Sequence, residues 1–279
     1  MSYTQKKKST PHNKKILLWL FSLVLSALIL FSVKNLFFPK RWIILSVEEK
    51  IILHRIQVHW ETLVPQKKKE GVAPLMTFGE LYTGLGPSEQ KFLDRVRAIN
   101  PKKDFGFRGN YLGGPSSKDI LFKRINNEWI RKNGKPEKLD PQYLPENVYK
   151  AYEAMMKAMQ SDLGKRLLVE SGYRSPAYQL YTFLFYLPKH HYSLKETGQW
   201  VALPGYSEHG APHRQAIDFI NQEGINGEDN PEDFERLEEY SWLLRRATEF
   251  GFELSYPRGG KGVTFEPWNW RYVGRSESE

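Results

Sequence analysis

Pro204-Gly-Tyr-Ser-Glu-His-Gly-Ala-Pro-His-Arg-Gln-Ala-Ile-Asp218-Phe-Ile220 brings His209, His213 and Asp218 together within ten residues. Its end, from Gln215 to Ile220, reads as a strand, because Ala216, Ile217, Phe219 and Ile220 are apolar and rich in β-forming types. Asp218 is the one charge in that run. A carboxylate is rarely buried unless it is paired or bound to a metal, so this stretch is a candidate metal centre carried on a core strand.

Working outward, Pro145 suits a helix first turn, and Val148, Tyr152, Met155, Met156 and Met159 follow at helical spacing. That methionine stripe reads as core. Leu167-Leu-Val169 reads as a buried strand ending at Ser171-Gly-Tyr-Arg-Ser175, and Pro176 opens a helix to about Leu187. Residues 188–205 read as a loop. After Asp218 comes a polar loop to Pro231, whose acids lack the spacing of an EF-hand. Asp233 is then expected to cap one helix with Phe234, Leu237, Tyr240, Leu244 and Ala247 on its apolar face, ended by Gly251. Short strands are expected at Phe252–Tyr256 and Val263–Glu266. Helices and short strands without repeated βαβ units indicate an α+β fold, a small antiparallel sheet with helices on one side.

Upstream the signals are weaker. Residues 43–63 mix apolar and charged positions without a clean period, a juxtamembrane helix or strand. One helix is expected over Ser88–Ile99, with Phe92, Val96 and Ile99 on one face. Lys67, Lys68 and Lys69 read as a solvated run.

Residues 16–33 form an unbroken uncharged apolar run that Leu36, Phe37 and Phe38 extend. At about 1.5 Å per residue it approaches the thickness of a bilayer core. Five lysines precede it, which favours a cytoplasmic N-terminus, with the bulk of the chain on the periplasmic or extracellular side of the cytoplasmic membrane. No small-x-small cleavage site follows, so a retained single-pass anchor is expected rather than a signal peptide. The net charge of +9 comes from the membrane flanks: from Gly71 on, 28 basic and 28 acidic residues cancel. The charge therefore suits anionic lipid, and nucleic-acid binding is not supported. With no cysteine, thiolate metal sites, disulfides and cysteine nucleophiles are excluded.

Ser171-Gly-Tyr-Arg-Ser175 with Gln179, then Ala202-Leu-Pro-Gly-Tyr-Ser-Glu-His209, Ala216-Ile-Asp218 and Phe265-Glu-Pro-Trp-Asn-Trp-Arg-Tyr-Val-Gly274 resemble, in order, the VanY-like D-alanyl-D-alanine carboxypeptidases. Trp242-Leu-Leu, Glu249-Phe-Gly-Phe252 and Tyr256-Pro257 fit the same pattern. The resemblance covers residues 144–274 and divides the chain into a basic tail (1–15), an anchor (16–38), an extension (39–143) and a DD-peptidase-like domain. It implies the fold shared with the hedgehog signalling domain and a zinc peptidase that trims D-alanine from peptidoglycan stem peptides. It maps two Zn2+ ligands to His209 and Asp218, the general base to Glu266, and a substrate or oxyanion contact to Arg174. Ser207 and Gln179 would be hydrogen-bonding neighbours of the substrate.

The chemistry is consistent with this. Catalytic zinc takes three N or O ligands and one open position, and lowers the pKa of its water. A carboxylate then moves the proton, and an arginine grips a carboxylate or oxyanion. Two departures stand out. His209 and Asp218 are two residues further apart than in the family, and Asn269 occupies the third ligand's place. Asn269 would coordinate weakly or leave a water in that place, His213 would replace it, or the site would bind wall peptide without cutting it.

Overall fold

The structure, a computed structural model, describes residues 43–107, 109–112, 120–228, 231–259 and 264–274. The expected membrane anchor and basic tail lie outside these residues, as does Val263. Ser46 opens helix α1 (Val47–Glu70) with a capping box: its hydroxyl accepts from the Glu49 amide, and the Glu49 side chain accepts from the Ser46 amide. Leu53, Ile56, Trp60 and Val64 form the buried face. The apolar period was hidden because Val47, Ile51 and Val58 are also apolar yet exposed. Gly71 ends α1 in the left-handed conformation, φ 71°.

Short helices α2 (Phe78–Tyr82), α3 (Pro87–Arg97) and α4 (Pro101–Phe105) follow. In α3, Phe92 and Val96 are buried as expected, together with Leu93, while Ile99 lies beyond the helix and is half-buried. Strands β1 (Phe122–Ile125) and β4 (Gln142–Pro145) pair antiparallel, as do β2 (Trp129–Lys132) and β3 (Lys135–Lys138).

Helix α5 (Glu146–Leu163) has Pro145 as its N-cap, and its buried residues are Val148, Tyr152, Met155, Met156 and Met159. They pack with Val169, Ile217, Phe219, Trp242, Phe252 and Trp270 into the main core. The sheet behind this core has four antiparallel strands in the order β5 (Leu168–Ser171), β6 (Ala216–Ile220), β8 (Glu266–Tyr272), β7 (Phe252–Tyr256). Alternation along β6 sends Ile217 and Phe219 into that core and leaves Asp218 on the opposite face. The same alternation in β8 packs Trp268, Trp270 and Tyr272 against the core and turns Asn269 away. Helix α6 (Pro176–Tyr186) lies beyond β5, capped by Ser175.

Four expectations are corrected. The 188–205 loop contains helix α7 (Leu194–Trp200), capped by Ser193, whose hydroxyl accepts from the Glu196 amide. The single helix after Asp233 is two: α8 (Pro231–Glu235) and α9 (Glu238–Arg246), with Leu237 as the N-cap of the second. The break rotates the inward face of α9 to Trp242 and Leu243, leaving Leu244 exposed. The final strand is Glu266–Tyr272 rather than a segment ending at Glu266, because the Trp-Asn-Trp alternation is itself the strand pattern.

The extension is joined to the sheet-bearing part by specific bonds. The Ser175 amide donates to the Pro74 carbonyl (2.8 Å) and its hydroxyl to the Met76 carbonyl (2.6 Å). The Tyr143 hydroxyl donates to the Gly71 carbonyl (2.8 Å).

Candidate active site

Asp218 and Asn269 are direct cross-strand partners in the β6–β8 register. Backbone pairing therefore sets them side by side on the sheet face opposite the main core. His209 arrives from a 3₁₀ turn, Glu208–Gly210, in which the Ser207 hydroxyl accepts from the His209 amide (3.3 Å). Its Nδ1 lies 2.8 Å from the Gly172 carbonyl. Since a carbonyl only accepts, Nδ1 is a donor here, and Nε2 accepts in the neutral ring and donates in the charged one. Gly172 makes this possible: a Cβ there would stand 2.5 Å from the Tyr143 carbonyl oxygen.

His209 Nε2 lies 3.2 Å from Asp218 Oδ2 and 3.2 Å from Asn269 Nδ2, and Asn269 Nδ2 donates to Asp218 Oδ1 at 2.7 Å. Arg174 follows β5, its amide donating to the His209 carbonyl (2.9 Å) and its guanidinium 3.8 Å from Asp218 Oδ2. Burial pushes the Asp218 carboxyl up, but His209, Arg174 and the Asn269 hydrogen bond outweigh it and hold it below the usual carboxylate range.

These residues line a pocket of ≈ 360 Å³ that also contains Gln179, Ser207, Tyr256 and Glu266. Burial raises the Glu266 carboxyl to about 8; the Asp218 charge adds to the rise, and Arg174 opposes it. Glu266 therefore holds its proton more tightly than an ordinary carboxyl. Gln179 donates to the Ala202 carbonyl (2.7 Å), which braces the pocket wall. At the rim His190 stacks on Trp200 with ring centroids 6.0 Å apart. Sequence reading missed Trp200 here, since an aromatic residue outside a motif carries no signal of its own, and it placed Tyr256 in the family pattern without a role at the site. A second depression of ≈ 370 Å³ shares Arg174 and Thr182 with the first and is lined by Lys68, Pro74 and Asp140 of the extension.

The proposed ligands do not all converge. His209, Asp218 and Asn269 meet; His213 does not. It is exposed in the 3₁₀ turn Pro212–Arg214, so the insertion supplies no replacement imidazole. Among the described residues no group of three His, Cys, Asp or Glu is placed to hold a metal ion. A resident catalytic zinc wants three good protein donors, and here the third member presents an amide nitrogen that donates rather than accepts. The residues present do not fit that ion.

Residues 141–275 match the VanY family, D-alanyl-D-alanine carboxypeptidase. The bifunctional D-Ala-D-Ala dipeptidase and D-Ala-D-Ala carboxypeptidase VanXYC of Enterococcus gallinarum is 30% identical over 149 residues, 49% of this chain and 70% of the relative. This chain belongs to the VanY family. The YodJ protein of Bacillus subtilis is also 30% identical over 149 residues, but the chain spans only 51% of that relative's length. A D-alanyl-D-alanine carboxypeptidase of Enterococcus faecalis is 42% identical over 82 residues, 28% of this chain and 27% of the relative. Among solved structures, VanYB in complex with D-alanine-D-alanine is similar at 24% identity and TM-score 0.44, covering 60% of this chain and 86% of that one. The LdcB LD-carboxypeptidase is similar at 23% identity and TM-score 0.45, over 64% of this chain and 80% of that one. The family match begins at residue 141, so the described residues before it, 43–107, 109–112 and 120–140, precede the matched region.

Proposed function

We propose that this chain engages the D-alanyl-D-alanine end of peptidoglycan stem peptides on the outer side of the cytoplasmic membrane, anchored by residues 16–38. Family membership supports the ligand class, and the apolar run with its preceding lysines supports the location. The observation that carries the reading is Arg174 at the pocket wall, a fixed cation whose Nε has no protein partner. A guanidinium in that position suits the terminal carboxylate of a peptide.

Hydrolysis of the terminal bond, the reaction the family is named for, is the second reading. The specific observation in its favour is Glu266 in the same pocket as Arg174, His209 and Asp218, a carboxyl that in its ionised form would take the proton of the attacking water and return it to the leaving amine. Zinc is the cofactor of that reading; it would have His209 and Asp218 as donors and would activate a water. Hydrolysis by that route requires the Asn269 carboxamide to turn away from both.

The test uses the full chain in detergent micelles and a stem pentapeptide ending in D-Ala-D-Ala. Saturable calorimetric binding, weakened about tenfold or more in Arg174→Ala, is expected. Absence of saturable binding overturns the reading. D-alanine release in the same samples, with and without added zinc, decides between recognition and hydrolysis.

A further inference from the structure

We infer that the Asn269 amide group takes the place of the metal, so that His209, Asp218 and Asn269 form a closed, metal-free hydrogen-bonded centre beneath the peptide pocket.

The argument starts from hydrogen inventories. His209 Nδ1 is committed to the Gly172 carbonyl at 2.8 Å, which in the neutral ring leaves Nε2 as an acceptor, 3.2 Å from Asp218 Oδ2. The Asp218 carboxylate is acceptor-only when ionised. Two acceptors on opposite elements thus face one small region, the arrangement a cation normally resolves. Asn269 Nδ2 has two hydrogens and lies within hydrogen-bond distance of both, 3.2 Å from His209 Nε2 and 2.7 Å from Asp218 Oδ1. One hydrogen for each acceptor satisfies both.

Turning the carboxamide over would bring Oδ1 against the Nε2 lone pair and the carboxylate with no proton among the three atoms. The acceptors therefore dictate the amide orientation. Asn269 Oδ1 is buried without a partner, so a turned amide would leave Nδ2 stranded there instead.

The strand register makes this centre a built feature. Asp218 and Asn269 are held opposite each other by the β6–β8 ladder, and Asn269 is only 4% exposed. A resident catalytic zinc takes a lone pair from each of three protein ligands, and the amide nitrogen in the third place offers a hydrogen to Asp218 instead. No other strong donor stands by, since His213 is exposed. Asn269 is thus a positioning residue: it orients His209 and Asp218, and through Asp218 it steadies Arg174 3.8 Å away. A peptide terminus bound at Arg174 would then need no metal. That last step rests on the proposed function; the metal-free centre itself does not.

The experiment is zinc titration of the full chain in detergent micelles by calorimetry, with metal analysis after dialysis, on wild type and Asn269→His. Wild type is expected to retain well under one equivalent, and its pentapeptide binding to be unchanged by a chelator. Asn269→His is expected to take up one equivalent, with zinc affinity raised on the order of 100-fold, and to give the visible spectrum of a tetrahedral site when loaded with cobalt(II). One tightly held equivalent in wild type, lost in His209→Ala, overturns the inference whatever the histidine variant does. If Asn269→His does not fold, Asn269→Asp, with a third ionisable oxygen donor, is the second variant. Chelator-sensitive peptide binding also counts against it. Absence of peptide binding with no zinc uptake defeats the proposed function and leaves the metal-free centre standing.

Discussion

At the scale of single residues, Glu266 carries the clearest consequence. Its folded carboxyl is raised from the ordinary 4.5 to about 8, chiefly by burial. The folded state thus holds the proton more tightly than the unfolded chain, and the unfolded chain is favoured as that proton is lost. Stability is expected to be full below about pH 4.5, to fall as pH rises toward 8, and to level off above that, a cost of a few kcal/mol at most. Glu266→Gln removes the charge and should flatten this dependence. Thermal melts at pH 5 and pH 9 check it: the variant should gain on wild type only at the higher pH, and equal differences at both would refute the assignment.

Elements set the site's geometry through two junctions. The first is Gly172, just past the end of β5, which passes the carbonyl of Tyr143 too closely for any Cβ and offers its own carbonyl to His209. Gly172→Ala forces backbone to move at that point, so a loss of about 1–3 kcal/mol in urea unfolding is expected. Weaker pentapeptide binding should accompany it, because His209 and the adjoining Arg174 amide bond shift together. The second junction is Ser175, which caps α6 and bonds two carbonyls of the extension. Ser175→Ala removes the cap and strands the buried Met76 carbonyl, for an expected loss of about 1–3 kcal/mol. In the core, Met155 on α5 is fully buried, and Met155→Ala should cost about 2–5 kcal/mol by leaving a cavity.

At the scale of the whole molecule, the described residues of the extension from Leu45 on belong to the same compact unit as the site. Trp60 of α1 meets Tyr181 of α6 edge-on at 5.8 Å, and Gln57 donates to the Leu184 carbonyl at 3.1 Å. A fragment of residues 141–279, which retains the family match, would expose that side of α6 and remove both carbonyl partners of Ser175. It should lose cooperative thermal unfolding and near-ultraviolet dichroism, whereas residues 43–279 should keep both. A cooperative melt from the shorter fragment would show that the extension is dispensable. The mixed-charge depression lined by Lys68 and Asp140 exists only because the extension folds against Arg174 and Thr182.

The sequence by itself determined the α+β class, the methionine face of α5, the identity of strand β6 and two residues of the centre, His209 and Asp218, because periodicity and local motif chemistry are short-range properties. It did not reveal the long α1, whose core period was overwritten by exposed apolar residues, or α7, although Ser193 and Glu196 gave a capping signal. It also left His213 and Asn269 as rival candidates. Only the tertiary structure decided between them. Cross-strand pairing brings Asn269 beside Asp218, and the turn at Pro212 leaves His213 exposed, a choice made by register and burial between segments far apart in the chain.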